Sequence, residues 1–256
     1  LERAFANATA KGSATQWYDF SNGWIARDAR QGQVVGKLRG IGQQWVTWPD
    51  RGPEPNGVAV VVDEDTPAAY MSHDFQVNLW AVYQQKMTFE RLGAPWDIVL
   101  LDDVVSGRLP KFRCYFFLNC YHMSDSERQW IRQNLQRDGR TLVWTYAPGY
   151  VTDGALSVQA MSDLTGMQFG ERAETLDWRM TLSDTHPLTK GLGTVPQPNM
   201  KLGPVFVAQA QPEEKAAVWE GTDVPALVVR KLPNWTSIYA SGPLLSPELL
   251  KRICRG

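Results

Sequence analysis

The residues able to do nucleophilic or acid–base chemistry are few: three cysteines (Cys114, Cys120, Cys254) and three histidines (His73, His122, His186). Two of them fall close together in Asn119-Cys120-Tyr121-His122, where a thiol stands two residues from an imidazole. On an extended chain, residues two apart point to the same side. His122 is therefore a candidate base and Cys120 a candidate nucleophile, since it is the thiolate that attacks. The competing reading is a small buried thiol, and one Cys-x-His does not separate the two. His73 (Ser72-His73-Asp74) and His186 (Thr185-His186-Pro187) read as structural residues in a helix start and a turn. Acids gather at Asp63-Glu64-Asp65 and Asp102-Asp103. Such groups supply the oxygen ligands that hard cations prefer, but each follows a strand, and we read them as loop and helix-capping acids favoured by the helix dipole. The cysteines are too few and too scattered for a disulfide framework or a zinc site. No metal and no cofactor are expected.

The elements that must position these groups alternate. Val58-Ala59-Val60-Val61-Val62-Asp63 is a β-branched run ending in acid, the pattern of a strand buried on both faces. Phe75 to Leu92 carries apolar residues at helical spacing (Val77, Trp80, Ala81, Met87, Leu92) and stops at Gly93, a C-cap residue. Strands follow at Trp96–Leu101, Cys114–Leu118 and Thr141–Thr145. Between the last two, Ser124-Asp125-Ser126-Glu127 is a capping box opening a helix through Trp130, Ile131 and Leu135. Strand–helix–strand repeats imply right-handed crossovers and a sheet covered on both faces. After Asp153 the pattern weakens to short strands, Ala226–Val229 and Ser237–Ala240, before a last helix begins at Ser246-Pro247.

The 256 residues are 43% hydrophobic and 21% charged, enough to bury a core. The net charge of -1, from 26 basic and 27 acidic residues, shows no positive stripe, which excludes a nucleic-acid partner. No run of about eighteen apolar residues occurs, so no membrane span is expected. Even charge and unpaired cysteines point to a reducing cytoplasm. The Pro/Gly cluster Pro49–Gly57 marks a boundary: an aromatic-rich, irregular or weakly helical segment over 1–52, and an α/β domain over 53–256. The chain opens on leucine with no readable leader and closes in a helical run, so the functional unit is expected to be larger.

Taken in order, the strand Val58–Asp63, the helix ending Arg91-Leu92-Gly93-Ala94-Pro95, the strands Trp96–Leu101 and Cys114–Leu118, the capped helix, and Thr141–Thr145 with Tyr146-Ala147-Pro148-Gly149-Tyr150 form a recognisable series. It resembles the trimerisation domain of glycoside hydrolase family 42 beta-galactosidases. Thr185-His186-Pro187-Leu188-Thr189 and Asn234-Trp235-Thr236-Ser237-Ile238-Tyr239 extend the likeness from about Asn56 to the end. The resemblance implies a three-layer, flavodoxin-like domain of the class I glutamine amidotransferase kind with a mainly parallel sheet. The opening, Trp17-Tyr18-Asp19-Phe20 then Gly23-Trp24, is similar to the last strand and loop of the TIM barrel that precedes this domain in those enzymes. Trp17, Asp19 and Trp24 are then candidates for a sugar pocket, with packing at the barrel interface as the alternative.

These likenesses carry chemical expectations. A retaining glycosidase needs two carboxylates about 5–5.5 Å apart. In the resembling family both come from barrel strands further upstream, so the pair is expected to lie outside this chain. Active amidotransferases place a cysteine in a Gly-x-Cys-x-Gly elbow after the strand following the capped helix. The matching run here is Thr145-Tyr146-Ala147-Pro148-Gly149, with Ala147 at the nucleophile's place. The expected function is a non-catalytic accessory domain that joins copies of the chain, as a trimer in the resembling family, with galactosides as possible ligands. The alternatives are a free-standing hydrolase using Cys120 and His122, and a carbohydrate-binding module.

Overall fold

The computed structural model describes residues 1–10, 15, 23, 27–47, 57–69, 76–194, 197 and 199–255. The chain divides into two compact units, Leu1–Gly52 and Pro53–Gly256. In the first, two helices are described, α1 (Glu2–Ala10) and α2 (Ala29–Trp45). Asp28 caps α2, its carboxylate accepting from the backbone N–H of Arg30 at 2.8 Å and of Gln31 at 3.4 Å. Acid at this end satisfies donors that the helix leaves unpaired. Phe5 of α1 lies against Gly42 of α2. Trp17, Asp19 and Trp24 lie outside the described residues, as does His73.

In the second unit the elements run β1 (Val58–Val62), α3 (Gln85–Phe89), β2 (Trp96–Leu100), α4 (Leu101–Val105), β3 (Cys114–Phe117), α5 (Asp125–Asn134), β4 (Arg140–Thr145) and α6 (Val158–Thr165). Then come β5 (Phe169–Arg172), β6 (Leu176–Asp177), β7 (Met180–Leu182), β8 (Lys201–Leu202), β9 (Val205–Ala208), β10 (Lys215–Trp219), β11 (Pro225–Lys231), β12 (Trp235–Ala240) and α7 (Pro247–Arg255). Eight strands form one sheet in the order β2-β1-β3-β4-β12-β11-β10-β7. The first five are mutually parallel and the last three run antiparallel. The order 2-1-3-4 is that of doubly wound flavodoxin-like sheets. Right-handed crossovers put the β1–β2 connection on one face and α4, α5 and α6 on the other. The α4–α5, α5–α6 and α3–α7 contacts match that arrangement. The domain is a three-layer α/β fold.

The antiparallel half follows from its connections. β10–β11 and β11–β12 are joined by the short turns 220–224 and 232–234, and hairpin turns cannot supply the crossover that parallel pairing needs. The β1 residues Val58–Val61 are each at most 5% exposed, which at about 25 cal/mol per Å² stabilises by roughly 1.5–3 kcal/mol for each valine. Phe117 on β3 stacks on Trp144 of β4 at 4.4 Å. The Trp144 indole N–H donates to Ser237 Oγ on β12 at 3.1 Å, and that hydroxyl donates to Thr165 O at 2.7 Å. One line of contacts therefore crosses β3, β4, β12 and the end of α6.

The capping box is formed as expected: Ser124 N donates to Glu127 Oε2 at 2.7 Å, and Glu127 N donates to Ser124 Oγ at 3.3 Å. Gly93 takes the left-handed backbone, φ +73°, just beyond the helix it was expected to end. Two details differ from the sequence reading. Leu101 leaves the second strand to start α4, and Asp102 and Asp103 sit in that helix's first turn. The helix before Gly93 contains a π-helical stretch, Leu79–Gln84. Residues four apart drift by about 40° per step in a regular α-helix, and a wider turn winds back part of that drift. The buried row is accordingly Val77, Ala81, Gln85 and Phe89, while Met87, expected on the apolar face, is 62% exposed. Among the described residues no helix is long and apolar enough to cross a membrane.

On the antiparallel side, Arg230 grips Glu214 bidentately, Nε to Oε1 at 2.7 Å and Nη2 to Oε2 at 2.8 Å. It also donates to the carbonyls of Gly166 and Gln209, each at 3.0 Å. These hydrogen bonds from Arg230 hold the Glu214 carboxyl below the usual range. A depressed folded-state pKa contributes stability above the unfolded value, near 4.3, that is lost as pH falls through the folded value. Glu214→Gln should cost about 1 kcal/mol at pH 7, and urea titrations should show the gap between variant and native chain closing below about pH 4. At Gly242, just past β12, an added Cβ would fall within the Trp178 indole. Gly242→Ala should therefore lower the urea-unfolding free energy by about 3 kcal/mol.

Candidate functional site

In a sheet of this order, ligands bind beyond the carboxyl ends of the strands, at the point where strand order reverses. Here that point lies between β1 and β3. Two side chains span it, Asn119 and Thr66. Asn119, just past β3, accepts from Asp63 N at 2.8 Å through Oδ1 and donates to Asp63 O at 2.9 Å through Nδ2, closing the ends of β1 and β3 as a further pair of strand bonds would. Thr66, fully buried, accepts through Oγ1 from the backbone N–H of Tyr121 at 3.1 Å and of His122 at 2.9 Å. Asp63 itself caps the helical turn Thr66–Ala69, accepting from Thr66 N at 2.7 Å and Asp65 N at 3.2 Å. Of the acids after β1, Asp63 thus acts as a cap. No cluster of three or more His, Cys, Asp or Glu side chains suited to a metal occurs among the described residues.

Cys120 is 1% exposed, with its sulfur 3.7 Å from Val61 O. Burial pushes its thiol well up from the ordinary value, and the nearby charges of Asp63 and Glu127 push it further. All three effects disfavour the thiolate that a nucleophile needs. His122 faces away to Asp153, with Nε2 3.7 Å from Oδ1 and the imidazole 24% exposed. No hydrogen bond joins Cys120 to His122 among the described residues. His186 uses Nδ1 to accept from Leu188 N at 3.1 Å inside its own turn, and burial lowers its pKa.

The next strand end is occupied by aromatic rings. Tyr146, the first residue after β4, holds a left-handed backbone at φ +58°. A non-glycine residue there is strained and persists only where its surroundings fix it. Its N–H donates to Ala240 O at 2.9 Å, its hydroxyl to Pro204 O at 3.0 Å, and its carbonyl accepts from Tyr239 OH at 2.8 Å. Its ring meets Tyr121 and Phe206 edge-on, each at 5.5 Å. Tyr150 packs on Phe206 at 4.6 Å and hydrogen-bonds Glu171 at 3.0 Å. The residue with the left-handed backbone is thus Tyr146, one before Ala147. The reason is the ladder: β4 pairs with β12 as far as Thr145 and Ala240, so the next residue must make the turn.

The space above β3, β4 and β12 is therefore an aromatic plug, roofed by β9 and by Trp178 over Gly242. Open clefts lie at the opposite end. One, of about 660 Å³, is bounded by Arg137, Asp138, Lys231, Asn234 and Trp235; another, of about 290 Å³, lies between α4 and α5 beside Trp130. Asn119, Thr66, Tyr146 and Tyr239 went unremarked as site residues in the sequence. Asn119 sits beside the thiol that drew attention, and only the pairing of β1 with β3 reveals what it does.

No protein-family model matches the chain, and neither does any curated protein. Solved structures do resemble it. The beta-galactosidase from Bacillus circulans sp. alkalophilus superposes with a TM-score of 0.62 at 17% identity, over 88% of this chain and 34% of its own. A catalytic mutant of Gan42B, a GH42 beta-galactosidase from G. stearothermophilus, gives 0.61 at 15% identity, over 89% and 33%. The cold-adapted beta-galactosidase from Rahnella sp. R3 gives 0.61 at 15%, over 88% and 34%. The chain spans about a third of the length of these enzymes. At such identities the likeness shows the fold.

The plug makes a chemical expectation. In the native chain Cys120 should react with a disulfide reagent such as dithiobis(nitrobenzoate) at least 100-fold more slowly than the half-buried Cys254. Time-resolved labelling, read by peptide mass, checks this, and rapid modification of Cys120 would restore it as a nucleophile.

Proposed function

We propose that the Pro53–Gly256 unit is a non-catalytic accessory domain of a beta-galactosidase-like glycoside hydrolase, serving to join copies of the chain, with a trimer as the expected assembly. The observation that carries this reading is the filled crevice. Where the fold would hold a substrate, Asn119 and Thr66 lock β1 to β3 and the rings of Tyr121, Tyr146 and Phe206 fill the next strand ends. The fold shared with beta-galactosidases three times as long supports placing the catalytic carboxylate pair in a part of the protein outside this chain. The segment Leu1–Gly52 would then be the end of the preceding barrel, with Trp17, Asp19 and Trp24 as its candidate sugar-binding residues.

Light scattering after gel filtration tests the assembly. A particle of about three times the 28.8 kDa chain mass, unchanged by galactose and unable to cleave nitrophenyl galactoside, is the expected result. A monomer would overturn the joining role. A monomer whose tryptophan fluorescence shifts on adding galactose would favour a carbohydrate-binding module instead.

A further inference from the structure

The cleft of about 290 Å³ between α4 and α5 is at the small end of the range for small-molecule sites. Its walls are mostly apolar. Val104 and Leu135 are each 4% exposed, with Leu109 and Pro110 beside them. Gly107, just past α4, offers no side chain, and the Trp130 indole of α5 lies 3.7 Å from where its Cβ would stand. The ring therefore reaches across to the end of α4.

The charged and hydroxyl groups around this cleft are all donors. Tyr115, on β3, is 3% exposed. Its hydroxyl oxygen accepts from Phe112 N at 3.1 Å, which sets it beside Pro110 and Lys111 at the cleft. Its own proton has no acceptor among the described residues, and burial raises the phenol's pKa, so the proton is retained. A buried donor without an acceptor is costly, and folded proteins rarely leave one. Lys111 and Arg137 stand exposed at the rim, and Arg137 comes no nearer to Asp138 than 3.5 Å. No acid lines the cleft among the described residues. The carbonyl end of α5, which would repel an anion, is covered by the buried guanidinium of Arg140, whose Nη1 donates to Asn134 O at 2.8 Å.

We propose that this cleft is a binding site for a small aryl carboxylate. The aromatic ring is held among Val104, Leu135 and Trp130, and a carboxylate oxygen accepts the Tyr115 hydroxyl proton. Lys111 and Arg137 at the rim offset the charge, and hydrogen bonds to an ionised acceptor are the stronger kind. The apolar walls set the rest of the ligand's chemistry. A sugar would bury hydroxyls against Val104 and Leu135 without partners, which is unfavourable. A phosphate would bring more charge and more oxygens than one buried hydroxyl can satisfy. The site is therefore distinct from any galactoside site, and it stands whether or not copies of the chain join.

Proton–nitrogen NMR of the whole chain, titrated with sodium 3-phenylpropionate, tests this. The Trp130 indole N–H resonance, assigned by its loss in Trp130→Phe, should shift saturably with a Kd of about 1 mM or tighter. The neutral amide of the same acid should bind about tenfold more weakly, and acetate, which has no ring, should not compete. Tyr115→Phe should weaken binding of the acid about tenfold. The double variant Lys111→Gln with Arg137→Gln should weaken it about fivefold. Both of its positions are exposed, so it carries the test even if loss of the buried hydroxyl impairs folding. Absence of a saturable shift, equal binding of acid and amide, a matching shift with galactose, or full affinity in the double variant would overturn the proposal.

Discussion

The Pro53–Gly256 unit depends on the seating of β12 against β4. That ladder runs in register from Arg140–Trp235 to Thr145–Ala240 and joins the four parallel strands built early in the chain to β12 and the antiparallel strands beyond it. On one side of it lie β2, β1 and β3; on the other, β11, β10 and β7. The hydrogen bonds from Trp144 to Ser237 and from Ser237 to Thr165 thread it from the β3 side to the end of α6. At its carboxyl end, Tyr239 reaches over to the Tyr146 carbonyl and so holds the left-handed turn that follows β4. A single pairing therefore fixes the continuity of the sheet and the closed form of the crevice together.

The filled crevice shows how, among the described residues, side chains can occupy the strand ends at which this kind of fold often binds ligands. Doubly wound sheets leave a gap where the strand order reverses, because the connections on the two sides depart to opposite faces. In this chain an amide side chain of the right length fills that gap with two hydrogen bonds to one residue, Asp63. The neighbouring gap is filled by rings whose edge-on contacts are favourable beyond their burial. A site may be lost by deleting a nucleophile. Among the described residues the space beside Ala147 and Cys120 is taken up by these side chains.

Much of the parallel half was legible because its signals are local. The run Val58–Val62, the box Ser124–Glu127 and the stop at Gly93 each state their structure within a few residues. The antiparallel half was only partly legible, since strands of three to five residues such as β7 and β10 carry too little periodicity to stand out from loops. The site was least legible. The lock between Asn119 and Asp63 joins positions 56 apart, and that between Tyr239 and Tyr146 joins positions 93 apart. No spacing rule reaches so far. The thiol of Cys120 was conspicuous as chemistry, whereas its depth is set by β1 and Val61, which the sequence around it does not mention. The left-handed turn at Tyr146 has the same origin, because the end of β4 is decided by its partner on β12.

The distance along the chain between the two strands of that pairing matters while the protein is being made. Once Thr145 has emerged from the ribosome the strands β2, β1, β3 and β4 are all outside it, but Trp235 emerges only 90 residues later (235 - 145 = 90). At about 5–20 residues per second, roughly 5 to 20 s pass before β12 arrives. Through that interval the nascent chain presents β4, with Val143 and Trp144, as a bare hydrophobic strand edge, the kind of surface to which other chains add.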